Sequence, residues 1–259
     1  VPVSSQSSEE LSRASKVGLQ TVFVRISGNT DAKAYSSIAK VLNQAKNYTR
    51  RYHYEHIDVK AASSKLDDTD ADRTLPYDKD SYNTQQLVVV LEFEPELVDK
   101  RLREAGLPLW SSNRPTLLVW MAVEDQNGRR FVGLERDANI IEAITDSAKR
   151  RGLALKLPAL DLDDMVAISV NDFWQLTSWQ AQLAAERYRA DVVLFGSVTQ
   201  LSNGRWLGNW NYLFNGQQHK FFGDADTIDF YVGASIDQVA DRLAAKYAIA
   251  PVKMAEGGV

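Results

Sequence analysis

Asp68, Asp70 and Asp72 stand at the one-three-five spacing that opens a calcium loop, where alternate oxygens converge on one cation. Such a loop needs glycine at its sixth position for the turn and glutamate at its twelfth for bidentate closure. Those positions hold Arg73 and Lys79, so the run Asp67 to Asp72 reads as a solvated loop. His53 and His56 are the next metal-capable pair. Three residues apart on a strand they point to opposite faces, and His219 lies far along the chain. Asp161, Asp163, Asp164 and Asp172 could supply the two carboxylates of a hydrolase; the competing account is helix capping at exposed positions. Gly204, Gly208 and Gly216 are hairpin and strand glycines with no Lys-Ser or Lys-Thr behind a glycine-rich turn, so no phosphate cradle is present. Ser197 follows Gly196 directly and lacks the frame of a nucleophile elbow. Catalytic, cofactor-binding and metal residues are therefore expected to be none.

Aromatic side chains offer a different chemistry. Trp206, Trp210, Tyr212 and Phe214 share one parity of an alternating segment, with Leu207, Asn209, Asn211 and Leu213 on the other. Such a row could stack on sugars or bases. Amphipathic segments stand on both sides of it in sequence, so the expectation is that it faces a core. Tyr48, Arg50, Tyr52 and Tyr54 also alternate, opposite Thr49, Arg51 and His53, on a polar strand suited to a sheet edge. Aromatic and arginine side chains anchor protein interfaces. Arg51, Tyr52, Tyr54, Trp174 and Trp179 are accordingly the candidate protein-contact residues.

Composition narrows the classes. The chain has 259 residues, 44% hydrophobic and 25% charged, which is ordinary for a globular protein. A net charge of -4 lacks the basic footprint of nucleic-acid binding, and no apolar run reaches membrane-spanning length. Lys149-Arg150-Arg151 reads as favourable charge at the end of a helix. There is no cysteine, hence neither disulfide nor thiolate. The start at Val1 rather than Met suits an exported product after signal-peptide removal, or a trimmed chain.

The elements expected to position these groups form two modules. In the first, at 1–108, Ser7 to Gln20 has a helical stripe, Thr21 to Ile26 alternates as a strand and Ala34 to Ala45 returns to helix. Asn47 to Val59 and Gln86 to Phe93 are strands joined through the polar stretch Lys60 to Asn83. Pro95 opens a helix that Gly106 and Pro108 close. Leu109 to Arg114 is the expected linker. The second module, at 115–250, begins with a strand at Thr116 to Glu124, turns at Asn127-Gly128 and continues with a helix at Glu135 to Arg151. A short strand at Leu153 to Leu157 follows. Asp161 to Leu176 fits either a helix from Asp163 or an irregular excursion around Trp174, and Ser178 to Arg189 is helical. The meander Asp191 to Leu201, Arg205 to Phe214 and Gln217 to Phe222 turns at Asn203-Gly204 and Asn215-Gly216. A helix at Ala234 to Tyr247 closes the domain. The fold class is α/β (α+β), with the second module a mixed sheet whose three-stranded meander is covered by helices.

Two resemblances attach to these segments. Arg13-Ala14 to Gly18-Leu19, Val22 to Asn29 (VFVRISGN), Leu102 to Trp110 (LREAGLPLW) and Arg114-Pro115 with Leu117 to Trp120 are similar to an uncharacterised family of exported gammaproteobacterial proteins. That likeness implies a periplasmic or outer-membrane-associated setting. Residues 115–248 resemble the amino-terminal domain of TolB and the related periplasmic domains of curli-secretion, flagellar-ring and penicillin-binding-protein-activator lipoproteins. Ala190 to Val193 and Gly196 to Val198 look like their central strand, and Val239-Ala240-Asp241 like their closing helix, with Gln238 where those domains carry His. The resemblance implies binding to other proteins.

The resulting expectation is a non-enzymatic periplasmic envelope protein, an adaptor or assembly factor that works by contact with envelope proteins. Peptidoglycan or another glycan is a further candidate contact. The alternative is a carbohydrate-binding or hydrolytic enzyme using the acids near 161–172.

Overall fold

The computed structural model describes residues 1–60, 83–110, 113–175 and 178–249. The acidic run Asp67 to Asp72 lies outside them. Two compact units are present: Val1–Val22 with Lys33–Arg101, and Phe23–Ala32 with the chain from Leu102 onward.

The first unit is a helix laid on a two-stranded ribbon. Helix α1 (Ser8–Ser27) starts in it, followed by α2 (Ser36–Leu42), β1 (Thr49–Lys60), β2 (Asn83–Phe93) and α3 (Pro95–Glu104). β1 and β2 pair antiparallel, with a bulge between Thr49 and Arg51. The other side of β2 receives the chain's first residues: Val3 N–H donates to the Leu87 carbonyl at 3.0 Å and Val89 N–H to that of Val1 at 2.8 Å. Val3, Ala14 and Val89 form a small buried core, with Leu11, Tyr54, Leu87 and Leu91 against it.

Thr21 to Ile26 does not form the expected strand; α1 runs through it. Six residues of alternation fit either period, and the longer register decides. Leu19 and Phe23 are buried one turn apart, and the buried Ser27 hydroxyl donates back to the Phe23 carbonyl at 2.7 Å. No breaker intervenes before Gly28, so packing overrides the β preference of Thr21, Val22 and Val24.

The second unit holds a six-stranded mixed sheet. Its elements are β3 (Thr116–Asp125), β4 (Gly128–Phe131), α4 (Ala138–Arg151), β5 (Ala154–Lys156), α5 (Leu162–Ala167), α6 (Val170–Trp174), α7 (Ser178–Ala185), β6 (Val192–Gln200), β7 (Trp206–Phe214), β8 (Gln217–Ala225) and α8 (Ile228–Tyr247). The order is β4-β3-β6-β7-β8, with β5 also on β3; β3 is parallel to β5 and β6, and the remaining pairs are antiparallel. β3 and β6 are apolar on both faces because both faces are covered. Leu117, Val119, Met121 and Leu194 meet α4 and α8, while Leu118, Trp120, Val193 and Phe195 meet α6 and α7.

The row on β7 is core. Trp210, Tyr212 and Phe214 are buried and Trp206 is half-buried against the same cluster. Trp210 stacks on Tyr231 of α8, ring centres 6.0 Å apart. It lies opposite Gly196 of β6, where any β-carbon would collide with the indole. Arg151 stands in the last turn of α4, as expected of charge at a helix end, and is buried there. It donates to Gly28 O at 2.9 Å, Asp237 at 3.1 Å and Asp241 at 2.5 Å, tying Phe23–Ala32 to α4 and α8.

Candidate functional site

The acids near 161–172 are held by the loop and helices they cap. Asp161 caps α5, its Oδ1 accepting from Asp164 N–H at 3.1 Å. The same carboxylate takes two bonds from Arg187, at 2.7 and 2.8 Å. That fork holds the Asp161 carboxyl down to about 2. Asp164 is fully buried and accepts from Leu160 N–H (2.7 Å), Arg187 (2.9 Å) and the Tyr188 hydroxyl (2.5 Å). Burial and the bond to Asp164 push the Tyr188 phenol up to about 12. Asp172 accepts from the Ser169 hydroxyl at 2.6 Å, and that hydroxyl caps α6. A hydrolase needs one carboxylate beside the scissile bond and another across it. Here Asp161 and Asp164 share one guanidinium, and Asp172 sits in a different cap.

This clamp decides which way α5 faces. With Asp164 turned inward, Leu162, Met165 and Val166 fall on the outer side, at 77%, 52% and 78% exposure. α5 packs on α7, where Leu183 is 60% exposed. Four large aliphatic or thioether side chains thus stand in solvent on adjoining short helices. Clusters of that kind mark contact sites more often than single exposed apolar residues do.

The residues expected to make contacts divide between the units. On β1, Tyr52 is 52% exposed and meets Tyr54 edge-on, ring centres 5.9 Å apart, while Tyr54 is half-buried against the small core. Arg51 is exposed and forks onto Glu92 at 2.9 and 3.2 Å. In the second unit Trp174 is half-buried, packed against the core, with the Arg129 guanidinium 4.1 Å from its ring centre. Trp179 belongs to α7, and its side chain lies outside the described residues. His53 and His56 are on β1, and His219 is on β8 beside the Tyr212 ring. Among the described residues no three His, Asp or Glu side chains form a group that could hold a metal ion. No described helix is long and apolar enough to cross a membrane.

Reading the sequence missed the outer face of α5. Leu162, Met165 and Val166 have the spacing that ordinarily signals a buried stripe. The signal against burial was available in Asp161 and Asp164, a cap pair three residues apart on the other side of the same turn.

Residues 1–111 match the family described as Domain of unknown function (DUF8605). No curated protein matches the chain. Among solved structures, the chain has a weak likeness to the LpoB C-terminal domain from Salmonella enterica. That likeness has 17% identity and a TM-score of 0.31, covering 51% of this chain and 94% of that one. A competence-damaged protein (CinA) superfamily protein from Enterobacter cloacae shows 12% identity and a TM-score of 0.31, covering 57% and 89%. Its counterpart from Escherichia coli shows 13% identity and a TM-score of 0.28, covering 58% and 84%.

Proposed function

We propose that the protein acts in the periplasm as a non-enzymatic adaptor or assembly factor, through contact with other envelope proteins. The observation that carries this reading is the outer face of α5, where Leu162, Met165 and Val166 are exposed, on a helix packed on α7, whose Leu183 is exposed too. Keeping these residues in water forgoes burial worth about 1.5–3 kcal/mol for each full side chain, a loss that docking a partner would recover. The envelope address draws on the resemblance of Val22 to Asn29 and Leu102 to Trp110 to an exported family. The contact set extends to Arg51, Tyr52 and Tyr54 on β1, and to Trp174 of α6 and Trp179 of α7.

Photo-crosslinking from position 166 in intact envelopes, followed by co-purification, tests the reading. The expected result is a discrete crosslinked protein whose yield falls when Leu162 and Met165 are both changed to Asp. A folded protein that crosslinks to nothing from 162, 166 or 183 would remove it.

A further inference from the structure

Among the described residues, β1 has a strand on one side only. It pairs with β2 from Arg51↔Glu92 to Lys60↔Asn83, while β2 is flanked on its other side by Val1–Val3. Among the described residues, no backbone hydrogen bond reaches Arg51 to Asp58 from outside that pair. Every residue from Arg50 to Asp58 is exposed except Tyr54. Alternate residues therefore present N–H and C=O groups outward, the template to which another extended chain adds. Natural edges are blunted by proline, bulges or brevity. β1 is twelve residues long, has no proline, and carries its one bulge at its start.

The charges of its exposed stretch from Arg50 to Asp58 run from basic to acidic, with His56 between Glu55 and Asp58 and Lys60 beyond them at the strand's end. Arg50, Arg51 and His53 come first, then Glu55 and Asp58. A parallel neighbour of the same sequence would set like charge against like. An antiparallel copy does the reverse. A two-fold axis normal to the sheet preserves the faces, so it pairs residues of equal parity. Centred on Tyr54, it sets Tyr54 against Tyr54, Tyr52 against His56, His53 against Glu55 and Arg51 against Ile57. On one face, Glu55 of each copy then meets His53 directly and Arg51 on the diagonal. On the other, the Tyr54 pair is flanked by Tyr52 and His56. Existing contacts leave these groups available: Arg51 engages Glu92 in the open, and His53 lies 3.7 Å from its own Glu55.

We propose that β1 is a homotypic interface, through which two copies of this chain join their edges antiparallel about Tyr54 to make a four-stranded ribbon. The occupant is a second copy because the strand is complementary in charge to its own reverse.

Sedimentation of the full chain over a concentration series tests this, with His53→Glu, Glu55→Arg and the double variant. His53→Glu sets like charges opposite one another twice in the dimer and should weaken it about tenfold; Glu55→Arg removes the carboxylate and places an arginine diagonal to Arg51, and should weaken it as well. The double change restores opposite signs and should recover dimerisation. The chain contains no cysteine, so Tyr54→Cys adds a single thiol that sits against its twin at the axis. It should oxidise to a linked dimer. Asp58→Cys, whose twin would lie about 26 Å away, should not. A wild type that stays monomeric at its solubility limit, or pairs only with a different protein, would overturn the proposal. So would a dimer indifferent to the single changes, a double variant as weak as either, or equal crosslinking at 54 and 58. Melting of each variant separates lost pairing from lost folding.

Discussion

β7 and α5 carry apolar side chains at equally regular spacing and dispose of them in opposite ways. On β7 the row from Trp210 to Phe214 faces α8 and is buried. On α5 the row Leu162, Met165 and Val166 faces water. Apolar periodicity says which residues share a face; it does not say where the face points. For β7 the direction is fixed by two flat neighbours. Gly196 leaves room for the Trp210 indole, and Gly208 leaves room for the Tyr231 ring, whose hydroxyl any side chain at 208 would strike. For α5 the direction is fixed by a polar group. Asp164 must keep three donors, one of them a guanidinium, and removing a buried charge from its partners costs more than leaving aliphatic side chains exposed.

The largest effect should come from the buried row. Trp210→Ala would empty the space between Gly196 and Tyr231 and cost about 3–5 kcal/mol in equilibrium unfolding. Near-wild-type stability, with loss of binding to a glycan instead, would turn β7 from a core strand into a ligand platform. Gly208→Ala tests the same layer from the other side. Its new methyl group meets the Tyr231 hydroxyl and the backbone carbonyl of Ser197, so a loss of about 1–3 kcal/mol is expected. A neutral outcome would mean that α8 can lift off β7 freely.

Asp164→Asn attacks the opposite device at almost unchanged shape. One oxygen becomes an NH2 group facing donors already in place, and the charge opposite Arg187 is lost. A destabilisation of about 1–3 kcal/mol should follow, measured by urea unfolding. The acid limb gives a separate readout. The folded Asp161 carboxyl sits at about 2, below its ordinary 3.8. Its stabilising contribution is therefore complete above about pH 4 and is lost as pH falls toward 2. Asp161→Asn should remove that portion of the pH dependence; an unchanged acid limb would show that the fork to Arg187 is not maintained in solution.

Much of the second unit was legible because turn chemistry and apolar runs agree there. Asn215 and Gly216 both adopt positive φ, 49° and 72°, as a two-residue hairpin turn demands. DVVLFGSV, like QLVVVLEF in the first unit, was readable as a strand because a short run rich in β-branched residues lies between turn signals and polar stretches. What stayed hidden depended on partners distant in sequence. Nothing local says that Arg151 meets Asp237, Asp241 and Gly28 instead of solvent. Nothing local says that Tyr188, past α7, will receive Asp164. The start of α8 at Ile228, ahead of the expected Ala234, was obscured because Gly233 resembles a break; the Thr227 cap was the better mark. The edge character of β1 was readable from its polar alternation, whereas its complementarity to its own reverse needed the register with β2 and the position of the bulge.

The smallest effect is the most discriminating. Val166→Asp places a charge on a side chain that is 78% exposed, on the face turned away from Asp164. If α5 faces solvent in the free protein, unfolding free energy should move by no more than about 0.5 kcal/mol. The same change on β7, at Trp210, would bury a charge and prevent folding. A large loss at Val166 would mean that α5 is covered within this chain and that the comparison between the two rows is false. A neutral result joined to loss of the crosslinked envelope partner would give the outer face its use: stability is unaffected because nothing in the chain rests on it, and binding fails because something outside does.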